Sequence, residues 1–160
     1  MTEQQSLDLY LVRHGNAKDP AEDPQRSLTE TGRKSVQKVA AFLAKQNLQL
    51  DQILHSGKRR AMETAEILSH HLSPRRGITA VTGLAPNDDV NPTAEMIARE
   101  NRPLMLVGHL PFMSCLASLL LLNNADQDIL HMLPATVVYL KRSDGLWELK
   151  WTLTPDLVYH

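Results

Sequence analysis

The sequence predicts an α/β domain of three layers, with a mostly parallel central sheet that has an antiparallel edge. Three observations carry this expectation. Short apolar runs of strand length alternate with amphipathic stretches of helical period. Two late β-rich runs flank Ser143-Asp144-Gly145, a turn sequence that marks a hairpin and hence antiparallel pairing. The chain has 160 residues, 42% hydrophobic and 22% charged, which suits one domain over residues 1–160 with a substantial core.

Taken in order, residues 7–12 form a mostly apolar run and predict a buried strand. Residues 16–27, rich in Pro and Asp, predict a loop. Thr29 is placed as the N-cap of a first helix that carries Val36, Val39, Ala40, Leu43 and Ala44 at helical spacing and runs to about Gln46. Gly32 is an early blemish in it. Residues 51–56 predict a second strand. Residues 59–72 predict a second helix with Ala61, Ala65 and Leu68 inward. Residues 79–86 predict a short third strand. Asn91 as N-cap and Pro92 at the first helical position open a third helix. Residues 104–109 predict a strongly apolar strand, and a helix beginning at Pro111 follows. Residues 136–142 and 147–154 make the closing hairpin.

Composition narrows the function classes. The net charge is −1, so neither nucleic acid nor an anionic membrane is attracted in bulk, and any anion site must be built locally. The single cysteine, Cys115, excludes an intrachain disulfide and fits a reducing compartment. The N-terminal segment lacks the basic and apolar regions of a signal peptide. The longest apolar stretch, residues 115–125, is too short to span a bilayer. A soluble, cytoplasmic protein is expected. No histidines and carboxylates stand at metal-ligand spacing, so neither a metal nor a cofactor is implied.

In open parallel sheets, ligands bind beyond the carboxyl ends of the strands. Here the first predicted strand runs into Arg13-His14-Gly15, the second into His55-Ser56 shortly before Arg59 and Arg60, and the fourth into Gly108-His109. A neutral imidazole is a nucleophile toward phosphorus, and the planar guanidinium fork matches phosphoryl oxygens. One histidine with two arginines and a second histidine around it would make a phosphoryl-transfer pocket. The arginines would also keep His14 unprotonated. Gly15 would let the backbone approach the phosphate with N–H groups turned inward, and Asn16 beside it is a second candidate for binding the substrate. Arg26 is a further candidate contact from the first loop. His55 reads as structural, His70 and His71 as polar residues at a helix end, and Cys115 as core packing. His131 and His160 have no companions, and residues 69–77 read as solvated surface.

These motifs resemble the histidine phosphatase, or phosphoglycerate mutase-like, superfamily, and within it the short SixA-type phosphohistidine phosphatases. "LYLVRHGNA", "RSLTETG", "SGKRRAMETA", "LVGHLP" and "WTLTPDL" occur in the order of that branch's motifs. The resemblance implies the phosphoglycerate mutase-like fold, with His14 as the nucleophile that becomes phosphorylated. Arg13, Arg60 (rather than Arg59) and His109 would hold the phosphoryl oxygens. It implies a metal-independent hydrolase acting on a phosphorylated protein such as a histidine-phosphotransfer domain, with phosphate as product. Small phosphate esters, or phosphate binding without turnover, are the alternatives. Gly57 and Glu63 depart from the branch's proline and glutamine. Pro86 stands where larger members carry a glutamate acid, which suits a nitrogen leaving group better than an alkoxide. Asp88 and Asp89 are the remaining candidates for a proton donor; Asp19 and Asp23 are weaker ones.

Overall fold

The computed structural model describes residues 6–158. Residues 1–5 of the N-terminal segment, and His160, lie outside the described residues. Six strands form one sheet: β1 Leu7–Arg13, β2 Gln52–His55, β3 Ile78–Ala80, β4 Leu104–Gly108, β5 Val137–Ser143 and β6 Leu146–Leu153. The spatial order is β3-β2-β4-β1-β5-β6, with the first four parallel and β5 and β6 antiparallel. Four helices accompany it: α1 Glu30–Ala44, α2 Arg59–Leu72, α3 Asn91–Ala98 and α4 Phe112–Leu122. Among the described residues, no helix is long and apolar enough to cross a membrane.

Strand alternation divides the core in two. Tyr10, Val12, Ile53, Met105 and Val107 point to one face, where α1 brings Val36, Val39, Ala40 and Leu43 and α2 brings Ala61, Ala65 and Leu68. Leu7, Leu9, Leu11, Leu54, Leu104 and Leu106 point to the other, against Ile97 of α3 and Phe112, Met113 and Leu116 of α4. The three layers are therefore helices, sheet, helices. Because β1 and β4 are covered on both faces, their apolar runs are continuous but for Asp8 in β1.

The structure shifts several expected boundaries. Helix α1 stops at Ala44, which is exposed, rather than at Gln46. Thr29 is its N-cap, and the hydroxyl accepts from Gly32 N–H. Gly32 is no blemish, because a Cβ there would drive into the Asn16 carbonyl oxygen, so α1 can sit on the loop after β1 only with glycine at that position. Strand β3 spans Ile78–Ala80, earlier and shorter than expected; it is an edge strand, half-buried at Ile78 and exposed beyond. Helix α3 starts one residue early. Val90 is its N-cap, and Asn91, already helical, donates its backbone and side-chain N–H groups to Asp89 Oδ1.

Candidate active site

The end of β1 is clamped from both sides. His14 N–H donates to Gly108 O of β4 at 2.9 Å, and Arg13 N–H to Thr136 O at 3.1 Å. Ala135 N–H returns to the carbonyls of Arg13 and His14. The Arg13 guanidinium donates through Nη1 to Met132 O at 2.8 Å, while its buried Nε has no protein partner. Arg13 and His14 thus stand on backbone fixed by the sheet and by the segment entering β5.

His14 is 9% exposed, and its Nδ1 lies 2.6 Å from Gly15 O. A carbonyl oxygen only accepts, so Nδ1 carries the proton and Nε2 keeps its lone pair. Burial, with the charges of Arg60, Arg13 and Arg26, lowers the His14 pKa to about 4, although the Gly15 hydrogen bond opposes this. The imidazole is therefore neutral and nucleophilic at ordinary pH.

His109 follows β4 and is 1% exposed, with its ring centroid 4.9 Å from that of His14. Its Nε2 hydrogen-bonds Ser56 Oγ at 2.7 Å, and its buried Nδ1 has no partner. Burial, followed by His14, Arg60, Lys58 and Arg26, lowers its pKa to about 3. Arg60 stands in the first turn of α2, and its Nε is also buried without a partner. Three buried nitrogens, Arg13 Nε, Arg60 Nε and His109 Nδ1, thus have no partner among the described residues. Groups of this kind are satisfied by a tetrahedral oxyanion.

Gly15 plays a different part from the expected one. Its N–H donates to Thr64 Oγ1 at 3.0 Å, so it does not turn into the pocket. A Cβ on Gly15 would lie 2.7 Å from Val36 Cγ2, so the glycine makes room for α1 rather than for phosphate. Thr64 Oγ1 in turn donates to Arg60 O at 2.8 Å, which ties the nucleophile segment to the turn carrying Arg60. Asn16 is likewise occupied by α1: its side chain donates to Thr29 Oγ1 and its carbonyl accepts from Thr29 N–H. Arg26, with a left-handed φ of 53°, donates Nε to Lys18 O, and its charge reaches His14, His109 and Arg60.

Asp88 accepts from Ala85 N–H, and Asp89 holds Asn91, so both carboxylates serve the turn before α3. Asp23 caps its own loop through Ser27 and Gln25. His55 Nδ1 accepts from Gly57 N–H, a structural role as expected. The two departures from the motif have physical explanations. Gly57 has φ +89°, which proline cannot adopt. Glu63 is 7% exposed and pinned: Oε1 accepts from Leu28 N–H at 2.8 Å and lies 3.6 Å from Arg33, while Oε2 accepts from Arg59 Nε at 3.0 Å. Arg59 also donates to Gln25, so it braces the first loop while Arg60 lines the pocket. Thr64 and Glu63 were absent from the expected site, and Ser56 stood there only as the residue that ends the second strand. Glu63 left a trace in the sequence, four residues after Arg59.

Comparison with known proteins bears on the family and the fold. The family model of the histidine phosphatase superfamily (branch 1) matches residues 9–85. An uncharacterised protein of Picosynechococcus sp. is 38% identical over 113 residues, 66% of this chain and 67% of that protein. The structure of the protein histidine phosphatase SixA complexed with tungstate superposes with a TM-score of 0.83 at 23% identity, covering 94% of this chain and 98% of the other. A mycobacterial glucosyl-3-phosphoglycerate phosphatase with VO3 superposes with a TM-score of 0.69 at 20% identity, covering 90% of this chain and 97% of the other. At these identities the two structural likenesses are likenesses of fold.

Proposed function

Because the chain belongs to the histidine phosphatase superfamily, we propose that it is a phosphohistidine phosphatase that works through a phosphorylated His14. One observation carries the reading: a neutral His14 with Nε2 unprotonated, beside unpartnered buried nitrogens of Arg13, Arg60 and His109. His14 Nε2 attacks phosphorus, the P–N bond to the substrate imidazole breaks, and that imidazole departs carrying a proton. Water then attacks the phosphorus of phospho-His14, the second P–N bond breaks, and phosphate leaves. Arg13, Arg60 and His109 hold the phosphoryl oxygens, where charge is spread in the transition state.

The nature of the leaving group supports a protein phosphohistidine over a sugar phosphate. The charges acting on His14 come from Arg60, Arg13 and Arg26, and those acting on His109 come from His14, Arg60, Lys58 and Arg26; no carboxylate is among them. An alkoxide needs a strong acid at its oxygen, whereas an imidazole is itself basic enough to take a proton. The test is a panel of a chemically phosphorylated histidine protein, a sugar phosphate and an aryl phosphate. The phosphohistidine protein should be turned over with the highest kcat/KM, and His14→Ala should lose about a thousandfold or more together with the acid-labile phosphate trapped on the enzyme. Preference for the sugar phosphate would make the chain a small-ester phosphatase. Tight phosphate binding with no turnover of any substrate would make it a binding module.

A further inference from the structure

Four cations act on the two imidazoles: Arg13, Arg26 and Arg60 on His14, with Lys58 joining Arg60 and Arg26 at His109. A phosphoryl group brings roughly two negative charges at neutral pH. Arg13 and Arg60, each with a buried unpartnered Nε, account for that pair. Arg26 is fixed in orientation at Nε by the Lys18 carbonyl, keeps its charge, and does not line the groove that Lys58 rims. Lys58 remains. Its backbone N–H meets Ser56 Oγ, but its ammonium has no hydrogen-bond or ion-pair partner among the described residues.

Lys58 rims an open groove of about 450 Å³ with Gln25, Gly57, Arg59, Arg60 and Met62. The groove shares Arg60 with the phosphoryl pocket. Its other arginine, Arg59, is already spoken for by Glu63 and Gln25. The groove is thus an annex of the reaction site that carries one uncommitted positive charge. An anion seated there would be next to the transferring group and would meet that charge on a partly screened surface.

We propose that Lys58 recognises an acidic side chain placed beside the phosphorylated residue of a protein substrate, so that the groove selects phosphohistidines with an acidic flank. This rests on the reading of the substrate as a phosphoprotein. The recognition is noncovalent and acts on kcat/KM. One exposed charge pair supports a preference of about three- to fivefold, which salt should erode.

The test uses three chemically phosphorylated histidine peptides of one length, with Asp, Gln or Lys beside the phosphohistidine. The wild-type protein should favour the Asp peptide over the Gln peptide by about three- to fivefold in kcat/KM, less so at high salt. Lys58→Gln should bring that ratio to about one, and Lys58→Glu should move the preference to the Lys peptide. Each ratio is taken within one variant, so a general loss of activity cancels. Equal rates on all three peptides, or a preference that survives Lys58→Gln, overturn the proposal and leave the phosphohistidine reading standing. No turnover of any of the peptides, beside turnover of a sugar phosphate, overturns that reading instead.

Discussion

Glu63 illustrates how much one side chain organises around this pocket. Its carboxylate satisfies a buried backbone N–H of Leu28 and anchors Arg59, so it fixes the first loop against the turn that carries Arg60. Glu63→Ala leaves the Leu28 N–H without a partner and should cost about 1–3 kcal/mol in urea unfolding. Glu63→Gln keeps an acceptor and loses ion pairs whose arginines are 45% and 47% exposed, so it should cost under about 1 kcal/mol. The imidazoles make a second prediction at this scale. The folded pKa of His14, about 4, lies below its ordinary value of 6.5, so between these the unfolded chain binds the extra proton. Stability is therefore full above about pH 6.5 and falls as pH drops toward 4, by on the order of 3 kcal/mol for this group. Melting temperature against pH should show this slope, and His14→Gln should reduce it while His109, whose pKa is lowered to about 3, keeps a slope of its own. The partners of Ser56 and Thr64 could not have been read from the sequence. Each works through a contact across 53 or 49 residues of chain, to His109 and Gly15 respectively, and no periodicity encodes such a meeting.

Elements were legible where burial wrote a period into the residues. Helix α2 matches its expected span end to end, because Ala61, Ala65 and Leu68 repeat on one face. Strand β4 was legible as an apolar run, and β1 as one interrupted only by Asp8 before Arg13, for the same reason, both being covered on both sides. Strand β3 was misplaced because three residues at an exposed edge carry no pattern, while the apolar residues after it belong to the turns that follow. The start of α3 was misread by one residue because its capping oxygen belongs to Asp89, upstream of the helix. The seating of α1 gives a prediction of its own. Gly32→Ala would push its Cβ into Asn16 backbone rather than into a yielding side chain. It should cost about 1–3 kcal/mol of stability. It should also lower kcat/KM by moving the loop that carries Arg26, whereas Lys34→Ala, on exposed α1 surface, should do neither.

At the scale of the whole molecule, the site exists because the chain order of the strands differs from their spatial order. β1 lies beside β4 and β4 beside β2, so His14, His109 and Ser56, far apart in sequence, leave the sheet at the same end. The fold rule put Arg13, His14, His109 and the pair Arg59 and Arg60 at that end, and the family resemblance singled out Arg60; the Gly15 N–H, expected to face the phosphate, instead meets Thr64, and the glycine makes room for α1. Buried nitrogens without protein partners should gain from an oxyanion. Phosphate or vanadate at about a hundred times its Kd should raise stability by about 2.7 kcal/mol. Calorimetry should record this as a rise in Tm that Arg60→Met largely removes. The depth of the two imidazoles has a further meaning. His14 is 9% exposed and His109 1%, and the backbone that carries His14 is tied on both sides. So little of either ring is exposed that a reacting group must come to them, because that backbone is not free to shift outward to meet it.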